Sequence, residues 1–229
     1  MNRYNNILID ADDTLLDFHK AEREGFKKVF IENNLEYNEY IFKTYKKINS
    51  YLWSEFEKGR ISKEDITSNR FKILFENLSI QSDDVYIRKE YQRALGEGYY
   101  LIDGALELCE ALYLKCSLYC VTNGLVQTQQ SRFKGAKLNK YFKDIFVSEK
   151  VGYQKPSIEY FNYVFNHIPN IDLSKTIIIG DSLSSDIQGG NNAGIDTCWF
   201  NPKGIKNETG LKITYEISKL DELKNIIFE

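Results

Sequence analysis

Apolar positions along the chain change their period twice. Ile7-Leu8-Ile9 is a continuous apolar run closed by Asp10, the pattern of a short strand buried on both faces, over residues 6–10. From Phe18 to about Gly98 the period becomes helical. Ile41, Tyr45, Ile48, Leu52 and Phe56 step by four, three, four and four, marking one helix face that Gly59 ends. Ser62, followed by Glu64 and Asp65, predicts an N-cap with an acidic first turn for a helix reaching Leu78. Ser82 predicts the cap of another, running to about Leu95.

From Asp103 the rhythm changes again. Helical periods at 104–114, 126–138, 157–167 and 184–193 alternate with short apolar strands at 117–121, 144–147, 176–179 and 197–200, and segments 213–217 and 219–227 close the chain. Such alternation predicts an α/β fold with a parallel sheet covered by helices on both faces. The helical block interrupts this sheet just after its first strand. The expected division is a Rossmann-like core of residues 1–16 and 99–229 with an inserted all-helical cap of residues 17–98.

The bulk numbers exclude several classes. A chain of 229 residues suits one or two domains. Its longest apolar runs are far too short to cross a membrane, and its first residues lack the apolar segment of a signal peptide, so a cytoplasmic address is expected. Net charge is −3 with no basic block, which argues against a nucleic-acid partner. Cys109, Cys116, Cys120 and Cys198 show no C-x-x-C spacing, and only His19 and His167 could supply imidazole. Four reduced, mostly buried thiols are expected rather than a zinc site.

Parallel α/β sheets place their sites at the carboxyl ends of the strands. Here those ends carry Asp10 and Asp12, then Thr122-Asn123-Gly124, then Gly180-Asp181 with Asp186 five residues on. Lys155 precedes a helix between them. Each fragment alone has a plainer reading: D-x-D as a turn or cap, Thr-Asn-Gly as a turn, Lys-Pro as a surface loop. In order, and each at a strand end, they point to one site. Four carboxylates in one pocket repel unless a cation sits among them, and oxygen-only ligands favour a hard ion such as Mg²⁺. The Thr122 hydroxyl, the backbone N–H groups around Asn123-Gly124 and the Lys155 ammonium are donors, which facing a metal suit a phosphate. Asp10 and Asp12, alternate residues, point to one side and suit a nucleophile and a general acid–base; Asp13 should turn away.

These four segments, Asp10-Ala11-Asp12-Asp13-Thr14, Val121-Thr122-Asn123-Gly124, Gln154-Lys155-Pro156 and Gly180 to Asp186, resemble the signature of the haloacid dehalogenase (HAD) superfamily, and the likeness covers essentially the whole chain. It implies a HAD fold with a helical cap of the C1 type. It implies that Asp10 forms an aspartyl-phosphate and that Asp12 is the general acid and base. Thr122, with Asn123 and Gly124, would hold the phosphoryl group, and Lys155 would orient Asp10. The metal set would be Asp10, the Asp12 carbonyl, Asp181 and Asp186, binding Mg²⁺ with Mn²⁺ as a substitute. Dehalogenase members lack an acid two positions after the nucleophile, so Asp12 implies phosphate-ester hydrolysis or phosphomutase chemistry. Ala11 departs mildly from the larger aliphatic residue usual there.

The wording around the motifs, including Gln129-Gln130 with Arg132 and the segment from Gly180 to Gly194, is similar to YjjG-type pyrimidine 5′-nucleotidases. The implied enzyme is a phosphatase acting on pyrimidine nucleoside 5′-monophosphates. Alternatives are a sugar-phosphate or phosphoglycolate phosphatase, a β-phosphoglucomutase-like phosphotransferase, or a non-catalytic binding module. The last is disfavoured because Asp12 and Lys155 are both present. The partner would be a small-molecule phosphate ester, and the protein a monomer or small homo-oligomer. The resemblance also implies that the leaving group lies between cap and core. Among the cap aromatics core packing is the expected role, with Phe18 the candidate for a stacking contact. Arg70 reads as a solvated helix residue, and Asp17 as a capping residue outside the catalytic set.

Overall fold

The computed structural model describes residues 2–228. In chain order the elements are β1 (Asn6–Ile9), α1 (Phe18–Glu32), α2 (Glu39–Glu57), α3 (Lys63–Leu78), α4 (Asp84–Glu97), α5 (Ala105–Leu112), β2 (Ser117–Thr122), α6 (Val126–Gly135), β3 (Phe142–Val147), α7 (Ser148–Val151), α8 (Ile158–Asn166), β4 (Thr176–Gly180), α9 (Gln188–Ala193), β5 (Asp196–Phe200), β6 (Tyr215–Ile217) and α10 (Leu223–Phe228). Among the described residues two compact units result: residues 2–18 with 99–228, and residues 19–98. No helix among the described residues is long and apolar enough to cross a membrane.

The larger unit is built on a six-stranded sheet in the order β3-β2-β1-β4-β5-β6, every pairing parallel. Burial explains why β1 reads as an unbroken apolar run. Ile7 and Ile9 pack on one face with Leu118, Cys120, Ile177 and Ile179. Leu8 packs on the other with Tyr119, Val121 and Ile178. Side chains alternate between faces, and both faces are covered, so after Asn6 no position on β1 is polar until the strand ends. The four cysteines are free and buried. Burial pushes the Cys109 thiol up to about 12, which leaves it inert at neutral pH.

The chain leaves this unit and returns to it side by side. Leu16 bridges Leu101, Asp17 donates its N–H to the Tyr100 carbonyl at 3.0 Å, and Ile102 donates to Leu15 at 3.0 Å.

The helical unit has an aromatic core. The Phe26 ring lies 4.0 Å from Phe30 and 4.7 Å from Tyr45, and Phe71 lies 5.4 Å from Tyr45 and 5.2 Å from Tyr91, centroid to centroid. These rings pack on one another, as helical spacing implies. Ser62 closes a capping box with Asp65. The cap of α4 is Asp83, one residue beyond Ser82; its carboxylate accepts from the Tyr86 N–H at 3.0 Å. Arg70 corrects the sequence expectation. It is only 2% exposed, because its Nη2 donates to Gln92 at 3.0 Å and its guanidinium lies 4.8 Å from the Tyr91 ring centre. A charged residue on a helix reads as solvated until such partners are known.

Candidate active site

Strand ends bring the acids together. The Asp10 N–H donates to the Ile179 carbonyl at 2.9 Å, which seats the end of β1 against the end of β4. Asp10 is 7% exposed, Lys155 2% and Asp186 fully buried. The Lys155 ammonium donates to Asp10 Oδ1 at 2.5 Å, to Asp186 Oδ1 at 2.6 Å and to the Val121 carbonyl at 2.8 Å. All three of its hydrogens are therefore used. Burial opposes the charge on Lys155, but the Asp10 and Asp186 carboxylates outweigh it and hold its pKa well above the usual range.

Asp186 reaches Lys155 through a local irregularity. The predicted helix over 184–193 begins as a wider π-helical turn, Leu183–Ile187, before α9 takes over. The Asp186 side chain folds back over the end of β4, and its Oδ2 accepts the Ser182 N–H at 3.1 Å. A Cβ at position 180 would collide with that carboxyl group, which is why Gly180 stands there.

Asp10, Asp181 and Asp186 each offer a carboxylate oxygen, and those oxygens all lie within 4.8 Å of one another. Burial raises the Asp10 carboxyl well above the usual range; Lys155 opposes this, while Asp186, Asp181 and Asp12 add to it. Burial and the Asp186 charge push Asp181 up to about 8. Two buried carboxylates and a half-buried one against one lysine form a donor set short of positive charge, and the chemistry of that set fits a hard divalent cation. Thr14, fully buried, directs its hydroxyl at Asp181 at 3.5 Å.

Thr122 ends β2 at 1% exposure. Its Oγ1 accepts from the Gly124 N–H at 3.0 Å and from Gln129 Nε2 at 3.1 Å. Both lone pairs are engaged, so the hydroxyl is left to donate. Asn123 does different work from Thr122. Its amide donates to the Lys155 carbonyl and accepts the Lys155 N–H, both at 2.9 Å, so it clamps the lysine's backbone.

Asp12 is held from the side of α6. Arg132 Nη1 donates to its Oδ1, and Gln129 Nε2 donates to its Oδ2 at 2.5 Å. Phe18 lies beside this pair, its ring centre 5.8 Å from the Arg132 guanidinium carbon. Asp13 sits in the left-handed region at φ 58°, and its N–H closes a turn onto the Leu16 carbonyl at 2.7 Å. The sequence marks Gln129 and Arg132 only as wording shared with YjjG-type nucleotidases and Thr14 only as part of the first motif, and gives none of them a role in the site. Polar side chains on a helix pass for solvated ones, yet the spacing of three between Gln129 and Arg132, one turn into the helix after Thr-Asn-Gly, was an available signal.

Comparison with known proteins adds a family context. The family model described as haloacid dehalogenase-like hydrolase matches residues 7–200. The HAD-hydrolase YfnB of Bacillus subtilis (strain 168) is 44% identical over 99% of this chain and 97% of its own. A crystal structure of YfnB bound to magnesium matches with a TM-score of 0.93 over 98% of each chain. The pyrimidine 5′-nucleotidase PynA of Streptococcus pneumoniae (strain ATCC BAA-255 / R6) is 35% identical over 98% of this chain and 97% of its own. The pyrimidine 5′-nucleotidase YjjG of Escherichia coli (strain K12) is 30% identical over 96% of each.

Proposed function

The chain belongs to the haloacid dehalogenase-like hydrolase family, and on that premise we propose that it is a Mg²⁺-dependent phosphomonoesterase acting through an aspartyl-phosphate on Asp10, with pyrimidine nucleoside 5′-monophosphates as substrates. One observation carries the reaction class: a buried Lys155 holds Asp10 by one oxygen, with a second acid, Asp12, two residues on. The nucleotide assignment is supported by PynA and YjjG, pyrimidine 5′-nucleotidases that align along almost the whole chain.

Each residue has a distinct task. Lys155 engages Asp10 Oδ1, which presents Oδ2 to the phosphorus. The Thr122 hydroxyl donates to a phosphoryl oxygen. As the Asp10 Oδ2–P bond forms, the ester P–O bond breaks, and the Asp12 carboxyl gives its proton to the departing oxygen. A water then attacks the same phosphorus and passes its proton to the Asp12 carboxylate. The Asp10 O–P bond breaks and inorganic phosphate leaves. Asp10, Asp181, Asp186 and the Asp12 carbonyl would hold Mg²⁺, which supplies positive charge to the phosphoryl oxygens and the carboxylates.

The test is phosphate release across UMP, dUMP, dTMP, sugar phosphates and phosphoglycolate. The expected result is preference for the pyrimidine nucleotides. Weak hydrolysis of all three, beside strong hydrolysis of a sugar phosphate or phosphoglycolate, would overturn the nucleotide assignment and leave the phosphatase.

Metal dependence has a stability readout with a definite sign. Asp10 and Asp181 have raised pKa values in the metal-free folded chain, Asp181 to about 8, so that chain binds more protons than the unfolded one from about pH 4 up to that value. Their contribution to stability is present at low pH and is lost as pH rises through the folded pKa values. A bound cation displaces those protons. Magnesium should therefore raise the melting temperature more at about pH 8 than at about pH 5.5, and EDTA should abolish activity until Mg²⁺ is restored. Equal thermal shifts at the two pH values, or activity indifferent to EDTA, would count against the metal site.

A further inference from the structure

Asp12 is gripped from behind on both oxygens, and both grips come from one helix. Arg132 and Gln129 stand three residues apart on α6 and are each 1% exposed. Arg132 takes Asp12 Oδ1 and Gln129 takes Oδ2. The Asp12 side chain nevertheless stays 27% exposed, so the carboxylate is held on one edge and open on another. We infer that Arg132 and Gln129 are positioning residues for the proton transfers of Asp12, fixing the rotation of its carboxyl group so that the open edge meets the ester oxygen. The inference rests on the aspartyl-phosphate reading above.

A buried guanidinium needs a counter-ion, and Asp12 could serve only as that. Gln129 argues otherwise. It is neutral and needs no counter-ion, yet its amide spans the two groups that would face the substrate, Asp12 Oδ2 at 2.5 Å and Thr122 Oγ1 at 3.1 Å. The backbone is also shaped to admit it: a Cβ at position 124 would collide with the Gln129 side chain, so glycine in the Thr-Asn-Gly turn makes room for this contact. Phe18 offers the Arg132 guanidinium an aromatic face at 5.8 Å, which limits its swing. Two donors on two oxygens restrict the carboxyl plane in a way a single ion pair does not.

The consequence is specific to esters whose leaving oxygen needs a proton. Departure of a nucleoside alkoxide from phosphorus requires the Asp12 proton; departure of p-nitrophenolate, already stable as an anion, does not. Rapid-quench measurement of aspartyl-phosphate formation should therefore compare UMP with p-nitrophenyl phosphate in Gln129→Leu, Arg132→Met and Arg132→Lys. If the substrate panel favours another alkyl ester, that ester replaces UMP. The expected loss on the alkyl ester is about 10²-fold in Gln129→Leu and Arg132→Met, the scale of one general-acid contribution. The loss on p-nitrophenyl phosphate should be several times smaller, and Arg132→Lys should recover part of the difference. Because the water-attack step also needs Asp12, p-nitrophenol should appear in a burst followed by a slowed steady state.

The ratio of the two rate constants is independent of how much variant folds, so a merely structural role would leave it at the wild-type value. An unchanged ratio in both Gln129→Leu and Arg132→Met overturns the inference while the phosphatase reading stands. A wild-type protein that forms no aspartyl-phosphate on any ester overturns both.

Discussion

Replacing Asp10 with asparagine is expected to abolish phosphate release, by on the order of 10⁴-fold or more, the scale on which loss of a covalent nucleophile acts. The amide has nearly the same shape and would still accept a hydrogen bond from Lys155, which in the native site approaches Oδ1 at 2.5 Å. It cannot form the acyl-phosphate at a useful rate. The fold should survive, since the substitution removes one of three crowded carboxylates rather than a packing group. Circular dichroism should match wild type, and acid-quenched protein should carry no labelled phosphate at Asp10. Near-normal turnover in Asp10→Asn would make the nucleophile assignment wrong.

Lys155→Met should damage both activity and stability. The ammonium is the shared partner of Asp10 and Asp186, and methionine fills its volume without its charge. Removing one member of a buried ion cluster typically costs about 3–5 kcal/mol, because the partners stay buried and uncompensated. The cost has a pH signature. With the lysine gone, the carboxylates regain neutrality by taking up protons, so the folded state is relatively favoured at low pH and the penalty grows as pH rises. Urea denaturation in EDTA, at about pH 5.5 and about pH 8, reads this directly. Magnesium should return part of the loss. A penalty under about 1 kcal/mol, or one independent of pH, would mean that Lys155 is not the charge on which Asp10 and Asp186 depend.

Legibility from sequence followed burial. Strands covered on both faces, such as β1 and β4, announce themselves as apolar runs, and their ends locate Asp10 and Asp181. The motif order was enough to predict that Thr122, Lys155 and Asp186 would converge, because a parallel sheet leaves few ways to connect them. Residues whose environment is made by distant partners were harder to read. Arg70 is polar by type and buried by virtue of Gln92 and Tyr91 on another helix. Arg132 and Gln129 are polar on a helix of ordinary composition, and their contact with Asp12, more than a hundred residues earlier, is invisible in that composition. The π-helical turn at Leu183–Ile187 has no composition of its own; it becomes intelligible once Asp186 must fold back over Gly180.

The side-by-side crossing of the chain at Leu16 and Leu101 bears on how the protein folds and diversifies. An inserted segment whose two ends already meet acts as a closed loop, and the entropy of closing a loop rises only logarithmically with its length. Doubling the insertion costs the sheet unit about 0.6 kcal/mol. The loop-closure term therefore sets only a weak limit on the length of the segment 19–98. Over evolutionary time the inserted unit can lengthen or shrink at little loop-closure cost to the residues that would carry the chemistry.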